Sequence, residues 1–218
     1  MFDFISKAFA DFRNIKGELL DVGSGSGILG LLLARDFPNL VLSQIEIYPK
    51  MQFLSQKNSQ INNIKSTLFC GDFANFEFDK KFDIIVSNPP FYHIGAIKSQ
   101  NEHKATARSN DSLSLKNFVK KAASILKENG KFAFCYDVKQ IVDIIKILSE
   151  YKINIEKMQF VHPKKDKKAS LVMIFARKNT KSLAAILPPL IAFDGELYSD
   201  ETNEIYKKSA THSIKVEL

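Results

Sequence analysis

The chain lacks the features that would tie it to a membrane or to an oxidising compartment. No uninterrupted apolar run approaches the ~20 residues needed to cross a bilayer, and Met1-Phe2-Asp3-Phe4-Ile5 lacks the basic-then-apolar order of a secretory leader. Cysteine is scarce: Cys70 and Cys135 stand far apart without metal-ligand spacing, which argues against a disulfide framework and a zinc site. There is no internal repeat and no low-complexity block. The expectation is a cytoplasmic monomer with reduced thiols, no metal and no membrane contact.

What is present is an ordinary globular composition, 45% hydrophobic over 218 residues, with a formal charge of +7. Clustered lysines favour a polyanionic partner through phosphate neutralisation, although a generally solvated lysine surface accounts for the charge equally well. The length suits one domain over 1–178 with an extension, 179–218, packed on it.

Phe2, Ile5, Ala8, Phe9 and Phe12 recur at helical spacing and predict a lead-in helix over 2–13. Glu18 to Val22 then reads as a strand. It runs into Gly23-Ser24-Gly25-Ser26-Gly27 and an apolar helix from Ile28 to Arg35. Strands follow at 40–47, 67–70 and 82–87, with a polar helix over 49–60. A long polar loop from His93 to Ser114 leads to a helix over 115–127 and a strand over 132–136. A helix over 138–151 and strands over 153–161 and 169–176 complete the pattern. Only His162 to Lys168 separates that last pair, so they form an antiparallel hairpin at one edge of an otherwise parallel sheet. Residues 179–218 show Leu187-Pro188-Pro189-Leu190 and a charged tail without clear period.

The motifs fall at strand ends, where an open α/β sheet places its ligand. Gly23, Gly25 and Gly27 let a ligand approach the backbone. Gly25-x-Gly27-x-x-Gly30 formally satisfies a dinucleotide fingerprint, with Glu46 at the distance of a ribose-binding acid. Asp21, however, suits a cationic amino group better than a pyrophosphate. S-adenosylmethionine has that amino group. Asp21 would hold its methionine end, Glu46 its ribose hydroxyls, Tyr48 or Met51 the adenine face, and Asp72 the adenine amine with Phe73 alongside. At the end of the strand over 82–87, Asn88-Pro89-Pro90-Phe91-Tyr92 is stiffened by its prolines. The Asn88 side-chain oxygen and the Pro89 carbonyl can each accept one hydrogen of an amine, while Phe91 stacks on a planar base.

Asp21-Val22-Gly23-Ser24-Gly25-Ser26-Gly27 together with Asn88-Pro89-Pro90-Phe91-Tyr92 resembles the class I S-adenosylmethionine-dependent methyltransferases that modify amines. Ala107-Arg108, Val161-His162-Pro163, Ala169-Ser170-Leu171-Val172 and Leu187-Pro188-Pro189-Leu190 look like the bacterial tRNA adenine-N6 methyltransferases that act beside the anticodon of a valine tRNA. The resemblance implies a Rossmann-like α/β fold with a seven-stranded, mostly parallel sheet and helices on both faces. It also implies S-adenosylmethionine as donor and N6-methyladenine in tRNA as product. Expected catalytic residues are Asn88, Pro89 and Phe91. The cofactor set is Asp21, Gly23, Gly25, Gly27, Glu46, Ile47, Asp72, Phe73 and Asn88. Tyr92, Arg108, Lys164 and Lys165 would face the substrate. Family members usually carry a longer segment before the first strand, with a Gly-Tyr-Arg-Phe-like stretch and an Asp covering the cofactor, so the pocket is expected to be less complete here. Other readings stay open: N5-glutamine methylation of a protein, a nicotinamide-dependent oxidoreductase, and a non-catalytic RNA-binding relic.

Overall fold

The computed structural model describes residues 1–89 and 114–211. The seven expected strands are β1 (Gly17–Val22), β2 (Leu40–Glu46), β3 (Ser66–Cys70), β4 (Phe82–Ser87), β5 (Leu126–Asp137), β6 (Ile153–His162) and β7 (Leu171–Lys178). They lie in the order β3-β2-β1-β4-β5-β7-β6, so strand order reverses between β1 and β4. Pairing is parallel from β3 to β5. β7 runs antiparallel to both neighbours and inserts between β5 and β6, so that β6, rather than the last strand of the hairpin, lies outermost of the seven.

The strands are apolar on both faces because helices cover both. Alternation sorts them residue by residue. Leu20, Ile85, Phe132, Phe134 and Ile174 point to one face. There they meet α4 (Leu115–Ile125) and α5 (Ile141–Glu150). Leu19, Ile84, Val86, Ala133 and Phe175 point to the other, towards α1 (Phe2–Phe9) and α2 (Ile28–Asp36). α3 (Pro49–Ile61) joins β2 to β3.

Several boundaries differ from those the sequence suggests. The first helix stops at Phe9, where the chain turns back with Phe12 N–H donating to the Phe9 carbonyl; Phe12 instead packs its ring on Phe175. The helix over 115–127 ends two residues early. Leu126 already pairs with Phe82, and the ladder resumes at Ile84 and Lys131 after a bulge. The described part of the tail, 179–211, contains regular structure of its own. Two short strands, β8 (Ala185–Ile186) and β9 (Leu190–Ile191), extend the sheet beyond β6, which brings it to nine strands. A small hairpin of β10 (Phe193–Asp194) and β11 (Leu197–Tyr198) follows, then α6 (Asp200–Ser209), capped by the Ser199 hydroxyl. Lys208 of α6 pairs with Asp3 of α1, and Arg35 donates to the Ser209 carbonyl.

Candidate functional site

The candidate residues converge on the carboxyl edge of the sheet because the register aligns the strand ends. Val22 pairs with Ile45 on one side and with Ser87 on the other. The Ser87 hydroxyl also donates to the Val22 carbonyl at 2.8 Å, which fixes β4 against β1 where the glycine turn begins. One residue further along each strand stand Gly23 and Asn88. Asn88 is exposed and Pro89 is buried.

In the turn, the Gly23 and Ser24 amides both donate to the Ile45 carbonyl, and Gly23, Gly25 and Gly27 have φ of 64°, 55° and 83°. Such φ values favour glycine. A Cβ on Gly23 or Gly25 would meet nothing within 4 Å, so these two positions border open space. Gly27 differs. A Cβ there would lie 2.5 Å from both Gln44 Oε1 and Ser55 Oγ.

That contact reveals a support the sequence reading missed. Ser55 donates to Gln44 Oε1, and the Asn58 side chain donates to the Ser26 carbonyl at 2.8 Å. α3 reads as polar because its inward face is polar: its buried residues are Ser55 and Ser59. The signal available in sequence was this run of small polar residues at helical spacing.

Two carboxylates sit under and beside the turn. Asp21 is 1% exposed, and its Oδ2 accepts from the Gly30 amide at 2.8 Å. Burial pushes its pKa up to about 7; the Gly30 hydrogen bond opposes this and the Glu46 charge adds to it. Asp21 therefore lacks a cationic partner among the described residues, and the ammonium of an amino acid is a suitable one. Its place also bears on the dinucleotide reading. The helix N-terminus that would receive a pyrophosphate already presents an amide to a carboxylate, which disfavours a second anion.

Glu46 is buried and bridges two amides, accepting from Gly25 through Oε2 at 2.8 Å and from Tyr48 through Oε1 at 3.0 Å. Each oxygen retains a lone pair for a further donor such as a ribose hydroxyl. Ile47, Tyr48 and Met51 are exposed beside it and offer an apolar wall. Asp72, just past β3, accepts from the Ala74 amide and the Asn75 side chain. Ser24 Oγ and Gln44 Nε2 are buried without a hydrogen-bond partner among the described residues. An open glycine cradle, a buried carboxylate suited to a cation, a ribose-competent acid and an unpaired hydroxyl fit the donor S-adenosylmethionine.

Some expected residues lie elsewhere. Phe73, expected alongside Asp72 at the adenine amine, is 4% exposed, with its ring edge-on to Phe118 at 5.9 Å, so its side chain packs in the core. Burying the phenyl ring there contributes to stability through the apolar area removed from water. Lys164 and Lys165 lie on the turn after β6, at the same sheet edge as Asn88 but three strands away. Lys164 pairs with Glu196 at 2.9 Å, whereas Lys165 is exposed. Phe91, Tyr92 and Arg108 fall outside the described residues. A cleft of about 780 Å³ opens at the opposite edge, between α5 and residues 179–186, and contains none of the candidate residues.

Residues 2–161 match the methyltransferase small domain family. A Pedobacter heparinus protein named tRNA1(Val) (adenine(37)-N6)-methyltransferase is 27% identical over 71% of this chain and 67% of its own length. A Flavobacterium johnsoniae protein of the same name is 30% identical over 88% of this chain and 84% of its own. With others of that name the match spans 53% of their length. Among solved structures, a predicted O-methyltransferase from Agrobacterium tumefaciens superposes with a TM-score of 0.68 at 14% identity, covering 94% of this chain and 95% of its own. The glycine turn, the strand order and these matches agree: the chain belongs to the methyltransferase small domain family and is a class I S-adenosylmethionine-dependent methyltransferase.

Proposed function

We propose that the protein transfers a methyl group from S-adenosylmethionine to the exocyclic N6 of an adenine in RNA, namely a tRNA adenine beside the anticodon, as in a valine tRNA. The observation that carries this reading is the register Val22–Ser87, which sets exposed Asn88 one residue past β4, next to the open face of Gly23 and Gly25. A group held by Asn88 therefore lies beside a group held by the glycine turn.

When bound, the donor supplies a methyl group on a sulfonium, an electrophile that needs no metal or general base. This chain's residues then have two tasks. Asp21 and Glu46 hold the donor's ammonium and ribose, and the support from Gln44, Ser55 and Asn58 keeps the turn curved around it. The Asn88 side-chain oxygen and the Pro89 carbonyl accept the two amine hydrogens. This draws the nitrogen lone pair out of conjugation with the base and aims it. Phe91 would stack on the base. The RNA assignment rests on the names of the relatives, the Asn-Pro-Pro-Phe loop and the net charge of +7.

The test is incubation with donor and unmodified tRNA, followed by nucleoside mass spectrometry. N6-methyladenosine should form, and Asn88→Ala should lower turnover by roughly 10²–10³-fold, as for loss of a positioning group. Full turnover by the variant would remove the amine-holding role, and a methylated protein in place of RNA would redirect the substrate.

A further inference from the structure

Outside the donor site, the small hairpin after β9 exposes aromatic surface that the core does not use. Phe193 and Tyr198 pair across β10 and β11 with rings stacked 5.0 Å apart at 22°. Tyr206 of α6 lies 5.0 Å from Tyr198 at 51°. The three rings form a row, exposed by 36%, 44% and 52% in that order, and Phe193 and Tyr206 each contact no other described ring. Contiguous exposed aromatics that add nothing to a core mark contact surfaces.

The row is fixed to the acceptor side of the site. Phe193 N–H donates to the Pro163 carbonyl, and Ala192 N–H to that of His162, so the hairpin is seated on the turn containing Lys164, Lys165, Lys167 and Lys168. The end of β6 and the first residue of that turn lie at the same sheet edge as Asn88. β9, which pairs with β6, is four strand spacings from β4, roughly 19 Å at ~4.8 Å per spacing. That is a few nucleotides along an RNA strand.

We propose that the row Phe193–Tyr198–Tyr206 is a stacking platform for an unpaired base that flanks the adenine presented to Asn88, with the lysine turn beside it holding the intervening phosphates. The inference rests on the RNA reading above and adds a surface to it. Every base has a π-face, so exposed rings next to lysines suit single-stranded nucleic acid. The local acids set its orientation. Glu196 already holds Lys164 and Asp166 holds Lys167, while Asp194 stands in the hairpin itself, so phosphates lie along Lys165 and Lys168 while the base enters the ring row.

The chain contains no tryptophan, so Tyr206→Trp installs a single indole at the exposed end of the row. Titration with an anticodon stem-loop should quench its fluorescence, and a fully paired hairpin of equal charge should not. Tyr206→Ala and Phe193→Ala should each weaken stem-loop binding roughly tenfold, and Tyr206→Phe should restore it. Melting temperatures of the variants separate lost stacking from lost folding; Tyr206, the more exposed, serves if Phe193→Ala unfolds. An indole unquenched at saturating stem-loop, or Tyr206→Ala binding as tightly as the parent, overturns the platform while methylation by the parent keeps the RNA reading. If the parent neither binds nor methylates RNA, both fall; quenching by a protein substrate instead also overturns the platform.

Discussion

Asp21 Oδ2 lies 2.8 Å from the Gly30 amide, so the carboxylate beneath the glycine turn also serves the first turn of the following helix. The same burial that makes it suitable for a donor ammonium makes its charge costly in the free protein. Its folded pKa of about 7 lies above the ordinary 3.8, so the native state binds its proton more tightly than the unfolded chain does. This group's effect on stability is most favourable below about pH 4, worsens as pH rises through 7 and then levels off. Asp21→Asn keeps an acceptor for Gly30 without the charge. It should flatten that pH dependence and raise stability at pH 8 by on the order of 1–3 kcal/mol, while lowering donor affinity; urea melts across pH and calorimetry with donor measure the two effects.

Gly25→Ala and Gly27→Ala should fail in different ways. A methyl group at Gly25 meets open space, so stability should fall only by the roughly 1 kcal/mol of left-handed backbone strain, while donor binding weakens because the cradle is filled. At Gly27 the methyl group would strike Gln44 and Ser55, and a stability loss of about 2–3 kcal/mol or more should dominate. Paired thermal melts and donor titrations distinguish them.

Phe73→Ala should act on folding and not on donor recognition. Its buried ring packs with Phe78 and Phe118, so truncation should cost about 3–5 kcal/mol with donor affinity unchanged in the folded fraction. A weaker donor Kd at full folding would instead give Phe73 a direct part beside Asp72.

Lys165→Ala should weaken RNA binding and lower the salt slope of log K by about 0.7–0.9, as for one lost phosphate contact. Lys164→Ala should do less, because Glu196 already neutralises Lys164. Affinities measured at several salt concentrations give both values.

Where periodicity and special backbone chemistry carried the information, the sequence was readable. The strand, glycine turn and helix at 17–36, the hairpin of β6 and β7, and the alignment of strand ends on one edge all follow from alternation and from glycine placement. Tertiary decisions were not readable. Phe73, Phe76 and Phe78 sit between β3 and β4 with nothing local to show that Phe118 of α4 would cover Phe73. The two-residue strands β8 and β9 exist because β6 offers an edge, and no propensity over so short a stretch could announce them. Ser55 and Asn58 looked like ordinary helix polars because their partners, Gln44 and the Ser26 carbonyl, lie elsewhere in the chain.

The insertion of β7 between β5 and β6 has a consequence for how the chain is made. β6 leaves the ribosome before β7, yet it has no partner among the earlier strands until β7 arrives, because β5 pairs with β7 and not with β6. A released chain truncated near His162 would therefore carry β6 as an unpaired ribbon with its apolar side exposed, a state prone to sticking to other chains. The donor half, β1 to β4 with the glycine turn, is complete well before then. Closure of the hairpin by β7 therefore supplies the pairing on which β6, and through it β8, β9 and the aromatic row, depend.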